Sequence, residues 1–285
     1  MLTTPALGVT GATGWLGGLV AQELSAREVP VRLLVRDVGR APDLARAVPV
    51  SCSYADRPGN ARALAGVTTL LMVSASENAE RVEEHGAFVD AAAEAGVKHL
   101  VYISFAGAAP DATFTLARDH FATEEHIKAS GMAWTFLRDN LYLEFMEHMA
   151  GPDGVIRGPA GEGRAAVVAH ADIARAAVSV LLEPAAHAGR TYTLTGPEAL
   201  SLSEAAAVAT EVTGRPFSFH DETVEEAYAS RAAYDAPGWQ VDAWVSTYTA
   251  IRAGELAEVT GDVERLTGRR PTSLREYLEQ QAASG

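Results

Sequence analysis

A chain of 285 residues, 48% hydrophobic and 21% charged, holds one large α/β domain or a domain with a smaller lobe, and is too apolar to be disordered. Its formal net charge of −14 argues against a surface built for phosphate backbones or anionic lipid, which needs clustered Lys and Arg, so neither nucleic acid nor membrane is expected as a partner. A lone cysteine, Cys52, excludes an internal disulfide and suits a reducing compartment.

Met1 to Pro5 carries no basic residue ahead of an apolar stretch, so no secretory leader is expected. No run reaches the roughly eighteen apolar residues of a membrane helix, and the expected location is the cytoplasm. Leu7 to Thr10 then predicts a strand, followed by Gly11, Gly14 and Gly17 and by Leu19, Val20 and Leu24 at helical spacing. Strand, tight turn and helix in this order form a cradle for a dinucleotide pyrophosphate, which must approach backbone N–H groups at a helix N-terminus where a Cβ would hold it off. The Gly-x-x-Gly-x-x-Gly spacing departs from the commoner fingerprint, so the weight rests on its context.

Further strands are expected at Val31 to Val35, Val48 to Cys52, Thr69 to Val73, Leu100 to Ser104 and Trp134 to Leu137, with helices around 15–27, 58–65, 79–95 and 114–129. Repeated βα units of this length predict a doubly wound, Rossmann-like parallel sheet over residues 1–150. Ligands bind at the carboxyl ends of such strands. After the second strand stands Arg36, placed to accept a 2′-phosphate and so favouring NADP(H), while Asp37 keeps NAD(H) open. After the third come Tyr54 and Asp56, after the fourth Ser74 and Ser76, and after the fifth Ser104, facing the nicotinamide end of the cleft. Asn140 and Tyr142 follow the sixth at the same end.

Residues 151–285 read differently. Glycine and proline cluster from Gly151 to Gly163, where the Rossmann-like part gives way to a smaller, mostly helical substrate-side lobe with some segments packing back on the sheet. Asp172 reads as the N-cap of a helix, Thr191 to Leu194 as a strand, and Ser203 as the start of an alanine-rich helix. Tyr228, Tyr234, Trp239, Trp244 and Tyr248 lie in a helical stretch, as packing or as a lid over a flat substrate. His85, His99, His126, His148, His170, His187 and His220 show no metal-ligand spacing, so no metal is expected, and no Gly-x-Ser-x-Gly elbow appears.

Thr10-Gly11-Ala12-Thr13-Gly14-x-x-Gly17, Val35-Arg36, Tyr102-x-Ser104 and Leu137-Arg138, in this order, resemble the atypical short-chain dehydrogenase/reductases, and in particular the NmrA-like group with its NAD(P)H:quinone oxidoreductases. Leu116-Ala117-x-x-His120-x-x-Thr123-Glu124, Gly161-x-Gly163 with Ala171-Asp172, and Thr267-Gly268-x-x-Pro271-Thr272-Ser273-Leu274 extend the resemblance over nearly the whole chain. It implies that Gly11, Thr13, Gly14, Trp15, Leu16 and Gly17 bind the pyrophosphate, that Arg36 faces the 2′-phosphate, and that Ser74 and Ser76 line the ribose. Ser104, Asn140 and Tyr142 would surround the nicotinamide and substrate. Quinone-reductase relatives tend to carry an acidic residue where this chain has Ser53, so adenine contact falls to Asp56 or to backbone.

Catalysis departs from the standard pattern. Tyr-x-x-x-Lys is not formed, because Glu94 stands four residues before Lys98 and Glu124 four before Lys128. His120 and Glu124 share a helix face, and a carboxylate neighbour would favour the imidazolium, making His120 the candidate acid. The implied activity is hydride transfer to a quinone or polycyclic aromatic ketone, of the kind met in secondary metabolism, by a monomer or homodimer. The alternative is a non-catalytic NADP(H)-binding redox sensor acting through a protein partner.

Overall fold

The computed structural model describes residues 5–145 and 149–284. The leader reading at Met1 to Thr4 and the reading of His148 lie outside them. The chain divides into two compact units, the first comprising Met1–Ser104, Asp119–Arg138 and Ile173–Tyr192, the second Phe105–Arg118, Asp139–Asp172 and Thr193–Gly285.

The first unit carries most of a seven-stranded sheet, built from β1 (Leu7–Thr10), β2 (Val31–Val35), β3 (Ala47–Ser51), β4 (Thr69–Val73), β5 (His99–Phe105), β6 (Ala133–Asp139) and β9 (Arg190–Leu194), in the order β3-β2-β1-β4-β5-β6-β9. The pairs β3–β2, β2–β1, β1–β4 and β4–β5 all run parallel, with Val9 opposite Leu33 on one side and Leu71 on the other. Interleaved are α1 (Trp15–Ala26), α2 (Arg57–Ala63), α3 (Arg81–Glu94), α4 (Thr115–Ala129) and α5 (His170–Leu182). This is the doubly wound, Rossmann-like fold, and its topological switch point lies between β1 and β4, where successive connections leave in opposite directions. β5 is buried throughout as His99-Leu-Val-Tyr-Ile-Ser-Phe105, the near-continuous apolar run of a strand covered on both faces. Phe88 and Val89 of α3 and Ile127 of α4 pack with Leu70, Met72, Leu100, Tyr102 and Phe136 in one core cluster.

Most boundaries fall within one or two residues of expectation, and two of the differences bear on residues singled out above. β6 continues two residues beyond Leu137, to Asp139. α5 opens at His170, so Asp172 is not its cap; it sits in the first turn, and its Oδ2 accepts from the Thr272 amide at 2.8 Å.

The second unit has its own core of Phe105, Phe114, Leu143, Ile156, Leu202, Ile251, Leu274 and Leu278. Two small sheets pair β7 (Val155–Gly158) with β11 (Ser218–Asp221) in parallel, and β8 (Arg164–Ala165) with β10 (Leu200–Ser201) antiparallel. Around them lie α6 (Leu202–Thr213), opened by a Ser201–Glu204 capping box, and α7 (Val224–Arg231), α8 (Gly238–Ala253), α9 (Asp262–Thr267) and α10 (Leu274–Ser284). The aromatic group of this region splits. The Tyr248 ring lies against Gly158, where an added Cβ would meet it at 2.2 Å, whereas Tyr234 is 71% exposed. No helix among the described residues is long and apolar enough to cross a membrane.

Candidate functional site

β1 delivers the chain to Gly11, whose φ of +66° only glycine adopts without strain. The Gly14 amide donates to the Gly11 carbonyl at 2.9 Å, closing a tight turn, and α1 begins at the next residue. A Cβ on Gly17 would stand 2.4 Å from the Gly11 carbonyl oxygen, so the first turn of α1 packs backbone to backbone on the loop. Gly14 is different: its backbone is extended and it is exposed, so its lack of a side chain serves the space outside the helix end. The first turn of α1 carries no acidic side chain. A helix N-terminus of this kind presents amides and the positive end of the dipole, and these residues fit a diphosphate. Thr13 and Trp15 flank the turn and are exposed, Trp15 to 66%, while the Leu16 side chain turns into the core.

The loop is braced across the switch point. The Val73 amide donates to Thr10 Oγ1 at 2.8 Å, Thr10 Oγ1 lies 2.7 Å from the Tyr54 hydroxyl, and that hydroxyl donates to the Val73 carbonyl at 2.5 Å. Because the single Tyr54 proton goes to Val73, the Thr10 hydroxyl donates to Tyr54, and the ring of bonds ties the ends of β1 and β4 to the segment after β3. Burial pushes the Tyr54 phenol up, so it stays protonated.

At the end of β2 Arg36 is exposed. Asp37 is committed elsewhere, its Oδ1 accepting from the Gly39 amide at 2.9 Å to cap a short 3₁₀ turn. Asp56 is likewise a cap, its Oδ1 accepting from Gly59 at the start of α2 at 3.1 Å. Ser74 is half-buried and Ser76 exposed, on either side of Ala75.

Ser104, at the end of β5, is fully buried, and its hydroxyl donates to Glu124 Oε1 at 2.5 Å. Glu124, 1% exposed, is gripped by the Arg138 guanidinium through two bonds of 2.9 and 2.6 Å. His120 does not meet the carboxylate that shares its helix face. Arg81 donates to its Nε2 at 3.0 Å, so its proton sits on Nδ1 and donates to the Tyr102 hydroxyl at 2.9 Å. Burial first, and the Arg81 charge second, hold its pKa well below the usual range. The expectation that Glu124 keeps His120 charged is therefore corrected: Ser104 and Arg138 capture the carboxylate, and the imidazole is neutral.

Asn140 and Tyr142 belong to the second unit. Asn140 is buried, its Nδ2 donating to the Leu256 carbonyl at 3.0 Å and its Oδ1 accepting from the Leu141 amide at 2.7 Å. Half-buried Tyr142 donates its phenol proton to Asp139 Oδ2 at 2.8 Å, and its ring lies on that of His170, 4.0 Å between centroids. Cys52 donates to Asn60 Oδ1 at 3.1 Å, and burial pushes its thiol up to about 12, which leaves it unreactive at neutral pH. The sequence shows Thr10 and Arg138 only as motif positions without a role, gives no signal for Arg81, one of many arginines in a chain nearly devoid of lysine, and marks His85 only as a metal ligand without the spacing.

A family model described as NAD(P)H-binding matches residues 11–184. Over 97% of its length the chain is 31% identical to an NAD(P)H azoreductase of Xenophilus azovorans, covering 98% of that protein. It superposes on the crystal structure of the Escherichia coli NADPH-dependent quinone oxidoreductase QOR2, solved with NADPH, with a TM-score of 0.89 and 30% identity, covering 97% of this chain and 99% of that one. It also superposes on NmrA, a negative transcriptional regulator solved with NADP, with a TM-score of 0.75 over 99% of this chain and 98% of that one; at 16% identity this likeness is one of fold.

Proposed function

The chain belongs to the NAD(P)H-binding family, and from that premise we propose that it is an NADPH-dependent reductase that delivers hydride to a quinone. In this reading Gly11, Thr13, Gly14, Trp15, Leu16 and Gly17 hold the pyrophosphate, chiefly through backbone at the N-terminus of α1. Arg36 takes the 2′-phosphate, and NADP(H) is preferred because the carboxylate that would bind a free 2′-hydroxyl, Asp37, already caps its own turn. Ser74 and Ser76 line the ribose. With Asp56 engaged as a cap, adenine contact rests on backbone.

NADPH supplies the hydride when bound; what the protein adds is placement of two flat rings at reacting distance. The observation that carries a quinone rather than a ketone is the proton inventory. Ser104 donates to Glu124, His120 to Tyr102 and Tyr142 to Asp139, so the hydroxyl and imidazole protons at these positions are already spent on protein acceptors, and the Asn140 amide, which donates to Leu256, is not an acid. A ketone becomes an alkoxide on hydride uptake and needs an acid in place. A quinone becomes a hydroquinone anion, a far weaker base, and water completes the protonation afterwards. Ser104, His120 and Asn140 are each buried, and in this reading none of them protonates the product.

The test is NADPH consumption with a panel of naphthoquinones, benzoquinones and polycyclic ketones at equal concentration. Quinones should turn over and ketones should not. Turnover of ketones alone would overturn the quinone assignment, and tight NADPH binding with no turnover on any member would favour a redox sensor.

A further inference from the structure

We propose that His85 and Arg81 are positioning residues for the dinucleotide, acting through the Ala75 peptide between Ser74 and Ser76; this rests on the reading that these serines line the ribose. The segment after β4 forms neither strand nor helix at residues 74–76. Its backbone polar groups therefore need partners other than a ladder. α3 supplies both at one residue of the rim, on the peptide groups to either side of its Cα. The Ala75 amide donates to His85 Nε2 at 2.9 Å, and Arg81 Nε donates to the Ala75 carbonyl at 3.1 Å. Arg81 and His85 are four residues apart, on one face of the helix.

Both side chains are themselves locked from behind. His85 Nδ1 lies 3.0 Å from Thr123 Oγ1, whose own proton goes to the Asp119 carbonyl at 2.8 Å, so the imidazole must donate from Nδ1 and keep Nε2 bare for Ala75. Arg81 reaches past the loop to His120 Nε2 at 3.0 Å and stands 3.5 Å from Asp119 Oδ2. His85 is fully buried and Arg81 is 4% exposed. A tie between α3 and α4 would need only the bonds to Thr123, His120 and Asp119. The two further bonds to Ala75 fix where the serines on either side of it stand before any ligand arrives, which lowers the ordering cost of binding.

The test measures NADPH affinity by calorimetry, alongside amide exchange, on the full chain carrying His85→Leu, His85→Gln or Arg81→Met. His85→Leu removes the acceptor and should release the Ala75 amide to exchange, raise the NADPH Kd about ten-fold, and raise KM for NADPH by a larger factor than it lowers kcat. His85→Gln restores an acceptor oxygen and should lie nearer to wild type in both readouts. If His85→Leu loses protection of the β5 amides as well, Arg81→Met decides, since of the two bonds at Ala75 it removes only the one to the carbonyl and should raise Kd in the same direction. An Ala75 amide released with the Kd unchanged, or an unchanged Kd in a folded Arg81→Met, overturns the proposal alone. Failure of the wild-type chain to bind NADPH overturns the cofactor reading, and this proposal with it.

Discussion

Two imidazoles held neutral inside the first unit should make the protein acid-sensitive in a calculable way. His85 is pushed down to about 3 by burial first and by the Arg81 charge second, and His120 is lowered by the same two causes in the same order. In the unfolded chain each would titrate near the ordinary value of about 6.5. Above that pH neither state binds the proton, and the folded arrangement carries no penalty. As pH falls through about 6.5 the unfolded chain takes up protons that the folded chain refuses, so stability is lost at about 1.4 kcal/mol per pH unit for each imidazole, and for His85 the loss continues to about pH 3. At pH 5.5 the two together cost about 3 kcal/mol relative to pH 8. Carboxylates titrate over part of the same range, so the decisive comparison is with His85→Leu. Urea denaturation at both pH values should show that the variant's loss between pH 8 and 5.5 is smaller than wild type's by about 1.4 kcal/mol, whatever its absolute stability. An identical loss in the two proteins would refute the neutral, buried assignment of His85.

Gly14→Val should fold, because the position is extended and exposed, yet lose NADPH binding in calorimetry. Gly17→Ala should in addition lower the urea midpoint by the equivalent of about 1–3 kcal/mol, since its Cβ meets backbone that cannot step aside. Arg36→Ser should weaken NADPH by about ten- to a hundred-fold and leave NADH nearly unchanged, as expected for one charge-assisted contact to phosphate; an unchanged preference in steady-state kinetics would reject the 2′-phosphate role. Glu124→Gln, which keeps the volume and an oxygen for Ser104 but sets an amide NH2 against Arg138 in place of the second carboxylate oxygen, should destabilise by about 3 kcal/mol in thermal or urea unfolding. A loss within error of zero would refute the reading that the Arg138 grip on Glu124 holds the fold.

The scaffold was legible because its signals are local and repeated. β1, β2, β4 and β5 are short β-branched and leucine-rich runs, and the glycines mark a turn whose geometry tolerates no side chain. The pattern of alternation then fixes a parallel sheet, and with it the switch point. The pairing of polar side chains was not legible, because it depends on contacts remote in sequence. Glu124 lies one turn from His120 on α4, yet Ser104, 20 residues away, and Arg138, 14 away, out-compete it. His120 finds its partner in Arg81, 39 residues earlier. Helical spacing says which residues share a face and is silent on what the face packs against. Asp37, Asp56 and Asp172 show the other limit: the first two, read as possible ligand contacts after strands, cap their own turns, and Asp172, read as a cap, holds the Thr272 amide instead.

The central claim, an NADPH-dependent quinone reductase, is tested most directly by mixing the protein with NADPH and 1,4-naphthoquinone and following NADPH absorbance in parallel with hydroquinone formation. One hydroquinone should form per NADPH consumed, much faster than without protein, with the reaction abolished in Gly14→Val and slowed when NADH replaces NADPH. Calorimetric binding of NADPH without any acceleration of this reaction would contradict it.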